Sequence, residues 1–178
     1  MIQFLEGNQI YLRPLTIADA NQIYLRWLND SEVTRGLASG YFPTTQEELV
    51  NYVSGTLKDS NTVFFALCLK ENNFHIGNVK VDRIDWMART CELGLIIGES
   101  SARGRGFGYE AMLLVIDYIF QELNLNKITL AVFENNPGAL KLYEKLGFQV
   151  EGRFINHVFK EGRLWDKIYL SLFNPNKS

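Results

Sequence analysis

Cysteine is scarce. Cys68 and Cys91 are the two in 178 residues, too few for a disulfide framework, and their spacing to His75 and His157 fits no zinc pattern. The stretch Met1 to Gly7 has neither the basic start nor the long apolar run of an export signal. Both thiols are therefore expected to be buried and reduced in a cytoplasmic protein, with no metal. An excess of either charge is missing too. Eighteen Lys and Arg against twenty Asp and Glu leave −2, so no global field favours nucleic acid or an anionic membrane. No apolar run approaches the roughly 20 residues that span a bilayer, and no internal repeat or low-complexity stretch occurs. What is present is globular composition, 47% hydrophobic and 21% charged. The length suits one domain over residues 1–178, with 173–178 read as a frayed tail.

Periodicity and punctuation order the chain. Ile10 to Pro14 reads as a short strand. Thr16 offers a helix cap, with Ala18, Ile23, Tyr24, Trp27 and Leu28 on one face. Asn29 to Pro43 reads as a long irregular connection. Thr45 and Glu48 form a capping-box pattern at the head of a second helix. Thr62 to Leu69 and Phe74 to Ile84 read as paired strands. Cys91 to Ile97, dense in Leu and Ile, reads as a strand buried on both faces. A helix from Phe107 to about Leu123 is apolar almost all round between Ala111 and Ile116, and is expected to be wedged inside the protein. Lys127 to Phe133 is a strand. Asn136 and Pro137 start a helix that Gly147 closes. Strands Phe148 to Phe159 and Arg163 to Phe173 end the chain. The order β-α-α-β-β-β-α-β-α-β-β implies an α/β (α+β) domain on one mixed sheet.

The chemistry concentrates between Leu93 and Ala111. A strand feeds the loop Glu99-Ser100-Ser101-Ala102-Arg103-Gly104-Arg105-Gly106-Phe107-Gly108, which opens a helix. Glycines let backbone approach a ligand, a helix start presents outward N–H groups, and Arg103 and Arg105 add charge, so a phosphate or pyrophosphate is the expected ligand. A basic surface turn is the alternative. The dinucleotide fingerprint needs glycine where Tyr109 stands. A Walker A loop needs a following Gly-Lys-Ser/Thr. A nucleophile elbow needs glycine at Ala102. Arg-x-x-Gly-x-Gly, Arg103 to Gly108, survives.

That loop, followed by Asn136-Pro137-Gly138-Ala139-Leu140-Lys141-Leu142-Tyr143-Glu144-Lys145-Leu146-Gly147-Phe148, resembles the GNAT superfamily of acetyl-CoA-dependent N-acetyltransferases. Leu12-Arg13-Pro14-Leu15, Trp27 to Val33, Cys91-Glu92-Leu93-Gly94, Glu151-Gly152-Arg153 and Trp165-Asp166 are similar to its branch of ribosomal-protein N-terminal acetyltransferases. That branch also holds enzymes acting on small amines. The resemblance implies a mixed, mostly antiparallel sheet of six to seven strands with about four helices, its fourth and fifth strands (Cys91–Ile97 and Lys127–Phe133) splayed apart. The stretch before Gly104 is one residue longer than usual, so strand-end contacts can shift by one.

The resemblance also implies roles. Leu95, Ile96 and Ile97 would pair with the pantetheine arm. Arg103, Gly104, Arg105, Gly106, Phe107, Gly108 and Tyr109 would hold the pyrophosphate. Asn136, Ala139 and Tyr143 would complete the cofactor site. Asn136 can equally be a helix cap alone, and Tyr143 a core residue in the stripe with Ala139, Leu142 and Leu146. With the motif, Tyr143 becomes the acid for the leaving thiolate. Glu92 is the candidate base, or a solvated carboxylate; a family glutamate elsewhere on the fifth strand is replaced by Ala131. Tyr41, Phe42, His157 and Trp165 are expected around the acceptor. The implied partners are acetyl-CoA as co-substrate and an amine acceptor. A ribosomal-protein N-terminus leads, ahead of an amino sugar, a nucleotide-linked amino sugar or a polyamine. A non-catalytic acyl-CoA-binding module and a homodimer stay open.

Overall fold

The computed structural model describes residues 3–176; Met1, Ile2, Lys177 and Ser178 lie outside the described residues. Its strands are β1 (Leu5–Glu6), β2 (Ile10–Pro14), β3 (Val63–Leu69), β4 (His75–Asp85), β5 (Thr90–Ile97), β6 (Lys127–Phe133), β7 (Gln149–Lys160) and β8 (Arg163–Phe173). They form one sheet in the order β1-β2-β3-β4-β5-β6-β8-β7, antiparallel throughout except for the β5–β6 pair. The two-residue β1 is the strand the sequence did not show. Helices are α1 (Gln22–Leu28), α2 (Ser31–Thr34), α3 (Gln46–Lys58), α4 (Phe107–Gln121) and α5 (Pro137–Lys145), so α2 interrupts what reads as an irregular connection. None of them is long and apolar enough to cross a membrane.

Alternation along the strands sorts the sheet into two packed faces. Ile10, Leu12, Phe65, Leu67, Val79, Val81 and Leu93 pack with Ala111, Met112, Val115 and Ile119 of α4. Tyr11, Phe64, Ala66 and Cys68 pack on the other face with Trp27, Leu49 and Val53 from α1 and α3. Trp27 is 1% exposed, so its removal would cost about 3–5 kcal/mol of stability. Both cysteines are free and buried, as expected.

Four local expectations change. Thr16 caps a single 3₁₀ turn, its N–H and hydroxyl both bonded to Asp19 at 2.8 and 2.9 Å. The cap of α1 is Asn21, whose side chain accepts from the amides of Ile23 and Tyr24. Helix α4 is not enclosed: Leu113 is 45% exposed, because only one face meets the sheet. Strand β5 is not buried on both faces, since Leu95 to Ile97 line an open cleft. The tail holds on beyond Phe173: Asn174 is buried and bonded to the carbonyls of Leu125 and Asn126.

Candidate active site

Strands β5 and β6 are joined only at Thr90–Lys127, Cys91–Ile128 and Glu92–Thr129. Past Glu92, β5 stays on β4 as far as Ile97–Gly77, while β6 stays on β8 as far as Phe133–Lys167. Each strand thus keeps one edge paired and leaves the other open inside the sheet. Unpaired main-chain groups in such a place need a partner. The opening is part of a cleft of about 790 Å³, lined by β5, the loop before α4, β6 and α5.

The glycine loop is built as a cradle. Gly104 and Gly106 have φ +72° and +86°, and no atom lies within 4 Å of where a β-carbon would stand. Gly106 is also the N-cap of α4, so no side chain covers the first-turn N–H groups. These retain their donors and the positive end of the helix dipole. Arg103 has a different task from Arg105. Its guanidinium donates to the carbonyls of Ile97 and Gly98 at 3.2 and 3.1 Å, tying the loop to the strand end. Arg105 is exposed and lies over the Phe107 ring, 4.8 Å from its centroid; unlike Arg103 it is outside the cleft lining. At Gly98, a β-carbon would stand 2.0 Å from the Trp27 indole, so α1 is seated directly against the end of β5.

On the opposite wall, Asn136 accepts from the Ala139 amide at 3.1 Å and caps α5. Asn136, Ala139 and Tyr143 all line the cleft. Tyr143 is 7% exposed. Burial pushes its pKa up to about 12, so the phenol keeps its proton at neutral pH.

Sequence reading found strand β4 but not the polar row it carries. Its residues Asn78, Lys80 and Asp82 stand opposite Ile96, Gly94 and Glu92 in the ladder, on the same face of the sheet. Lys80 Nζ lies 2.6 Å from Asp82, and Glu92 is paired with Arg83 at 2.7 Å. A second cavity of about 720 Å³ opens on that face between α1, α3 and residues 37–44. It meets the cleft at Leu37 to Ser39, Lys80 and Gly94 to Ile96. Gly94 presents no side chain at that junction. Tyr41 and Phe42 line the second cavity as expected. His157 and Trp165 line neither space: His157 packs on Phe154 and Trp165 stacks under Arg163. The hairpin register of β4 with β5 was the signal that could have located the β4 row.

Residues 9–149 match the acetyltransferase (GNAT) domain family. The chain belongs to that family. As a GNAT acetyltransferase it is an acetyl-CoA-dependent enzyme, and the uncovered glycine cradle and open strand edges fit that co-substrate. It is 32% identical over 155 residues to the spermidine N(1)-acetyltransferase of Vibrio cholerae, covering 85% of this chain and 88% of the relative. An uncharacterized N-acetyltransferase, p20, of Bacillus licheniformis is 29% identical over 96% of both chains. A crystal structure of the V. cholerae spermidine N-acetyltransferase with CoA and spermine superposes with TM-score 0.85. Its identity is 27%, and it covers 94% of this GNAT chain and 96% of that one. The same V. cholerae enzyme has been solved as a dodecamer, TM-score 0.78, at 27% identity over 94% and 95% of the two chains. Where these relatives have a named acceptor it is spermidine, which corrects the ribosomal-protein branch expected from the sequence.

Proposed function

We propose that this enzyme transfers the acetyl group of acetyl-CoA to the primary amine of a small molecule, both substrates being bound together. The observation that carries the proposal is the divided cleft: an open strand edge and glycine cradle on one side, joined at Gly94 to Ile96 with a separate cavity on the other. Relatives named for spermidine make polyamines the first acceptors to assay. The dodecamer of one relative makes self-association worth measuring alongside.

Acetyl-CoA supplies a thioester carbonyl; a new N–C bond forms, the C–S bond breaks, and the amine loses the proton that the thiolate gains. A main-chain N–H among Leu95 to Ile97 would face the carbonyl oxygen as its charge grows. Tyr143 holds the proton that the leaving thiolate needs, whose own pKa is near ~8.5 on the cysteine scale. Glu92, at the closed end of the splay, stands two residues or roughly 7 Å along the strand from Gly94. At that distance it would take the amine proton through water. Arg83 holds the Glu92 carboxylate at 2.7 Å.

The test is thiol release from acetyl-CoA across a panel of polyamines, amino sugars, simple monoamines and ribosomal N-terminal peptides. Turnover with a small amine and its loss in Tyr143→Phe, acetyl-CoA binding being retained, is the expected result. Tight acetyl-CoA binding with no thiol release on any acceptor would replace the enzyme with a binding module. Preference for the peptides would restore the protein acceptor.

A further inference from the structure

The acceptor cavity has a composition unlike that of a site for a polycation. Five aromatic rings line it: Tyr24, Tyr41, Phe42, Tyr52 and Phe64. Phe64 and Tyr52 meet edge to face at 6.2 Å. One carboxylate, Glu48, borders it, and that group is already held by the Thr45 amide and hydroxyl at 2.7 and 2.9 Å as the capping box of α3. The one cation on its wall is Lys80, at the junction with the cleft.

Lys80 is fixed there. Its ammonium donates to the Tyr52 hydroxyl at 3.1 Å, lies 2.6 Å from Asp82, and sits 5.5 Å from the centre of the Tyr52 ring. Burial opposes its charge, but the bonds to Asp82 and Tyr52 outweigh it and hold the pKa above the ordinary lysine value. Across the junction, the acids of the cleft are matched in the same way: Asp82 to Lys80 and Glu92 to Arg83, with Glu32 exposed at the outer side. The two strand carboxylates beside the junction, Asp82 and Glu92, are therefore both paired.

One polar group in the cavity wall is left without a partner. Asn78 is 2% exposed and its Nδ2 has no formed hydrogen bond, although the Tyr24 hydroxyl lies beside it. Its orientation follows from His75. Nε2 of that ring contacts both the Gly77 carbonyl at 2.9 Å and Asn78 Oδ1 at 2.8 Å, so it carries the proton and donates to both. The amide oxygen of Asn78 is thereby turned to His75 and its nitrogen toward the Tyr24 hydroxyl in the cavity wall. A buried donor without a partner is unfavourable until a ligand supplies one.

We propose that the acceptor is an arylalkyl monoamine, and that Lys80 is the residue that excludes polyamines. The proposal rests on the small-amine acetyltransferase reading and narrows it. An aromatic body fits the ring-lined walls, and an oxygen on that body would meet Asn78. A second ammonium on the acceptor would meet the Lys80 ammonium on the cavity wall, while Asp82, on the cleft side, is already engaged by that lysine.

The experiment compares 2-phenylethylamine, tyramine and spermidine by kcat/KM in the wild-type enzyme, Lys80→Met and Lys80→Arg, with thermal melting to confirm folding. The wild type is expected to favour the aromatic amines over spermidine by at least about tenfold, and tyramine over 2-phenylethylamine by a few-fold. Lys80→Met, which also frees Asp82, should cut that preference about tenfold by improving spermidine, whereas Lys80→Arg should keep it. Wild-type preference for spermidine, or a ratio unchanged in Lys80→Met, would overturn the proposal while leaving acetyl transfer intact. Should Lys80→Met fail to fold, the wild-type and Lys80→Arg ratios decide. If no amine is turned over, acetyl transfer itself falls. The pocket assignment is then decided by calorimetry on the CoA complex, where binding of 2-phenylethylamine over spermidine supports it and the reverse overturns it.

Discussion

The two halves of the cleft are built on opposite principles. The proposed coenzyme side is local in sequence and made of backbone: a strand edge, two left-handed glycines and a helix start, all between Leu93 and Tyr109, closed by α5. The proposed acceptor side is assembled from side chains on β3, β4, β5, α1, α3 and residues 37–44. Main-chain donors look the same whatever side chains surround them, so the first half can stay constant while the second is rebuilt residue by residue. A change in one should leave the other's affinity untouched, and each variant below tests that separation.

The largest effect is expected at Gly106. A glutamate there meets a φ of +86° and puts a carboxylate into the space above the helix start. Acetyl-CoA affinity should fall more than about 100-fold, from lost room and like charge together. Titration calorimetry checks it. An affinity equal to that of the wild type would remove the pyrophosphate cradle from this loop.

Next in size is Tyr143→Phe. A positioned general acid contributes about 10²–10⁴-fold, so kcat should drop by at least about 100-fold with acetyl-CoA affinity within a few-fold. The pH profile gives a second reading. The acid works only while protonated, and burial holds Tyr143 in that form up to about pH 12. No loss of rate between pH 8 and 10 should therefore come from this group. A full-speed Tyr143→Phe enzyme would reduce the residue to a core tyrosine.

Glu92→Gln follows, with an expected fall of about tenfold in kcat/KM for every amine tested and no change in acetyl-CoA affinity. The loss should be greatest at low pH, where the acceptor is protonated and needs a base most. An unchanged profile would leave Glu92 as the partner of Arg83 and nothing more.

These contrasts also explain what could be read in advance. The fold and the geometry of the glycine loop and Asn136 cap were legible because their signals are contiguous: the Arg103–Gly108 loop, the Asn136–Pro137 start, the alternation in β3 and β6. Strand β5 was misjudged as doubly buried because the same Leu-Ile run serves a buried strand and a cleft wall, and sequence does not show where pairing with β6 stops. The assignment of α1 slipped because Thr16 and Asn21 are both good caps; the Asp19 carboxylate closes the first into a 3₁₀ turn. Asn78, Lys80 and Asp82 were passed over because a polar residue every second position on a strand looks like a solvent face. Only the hairpin partner, supplied by tertiary structure, turns that face inward against Gly94 and Glu92.

The smallest expected change lies wholly on the acceptor side. Tyr52→Phe keeps the ring but removes the hydroxyl that accepts from Lys80 at 3.1 Å. The ammonium remains held by Asp82, so the loss is one exposed hydrogen bond, worth about 0.5–1.5 kcal/mol. Acceptor KM should therefore move by no more than about tenfold, and acetyl-CoA affinity not at all. If acetyl-CoA affinity fell as far as acceptor affinity did, the two halves would be coupled through Lys80. A single residue would then serve both the backbone-built and the side-chain-built walls.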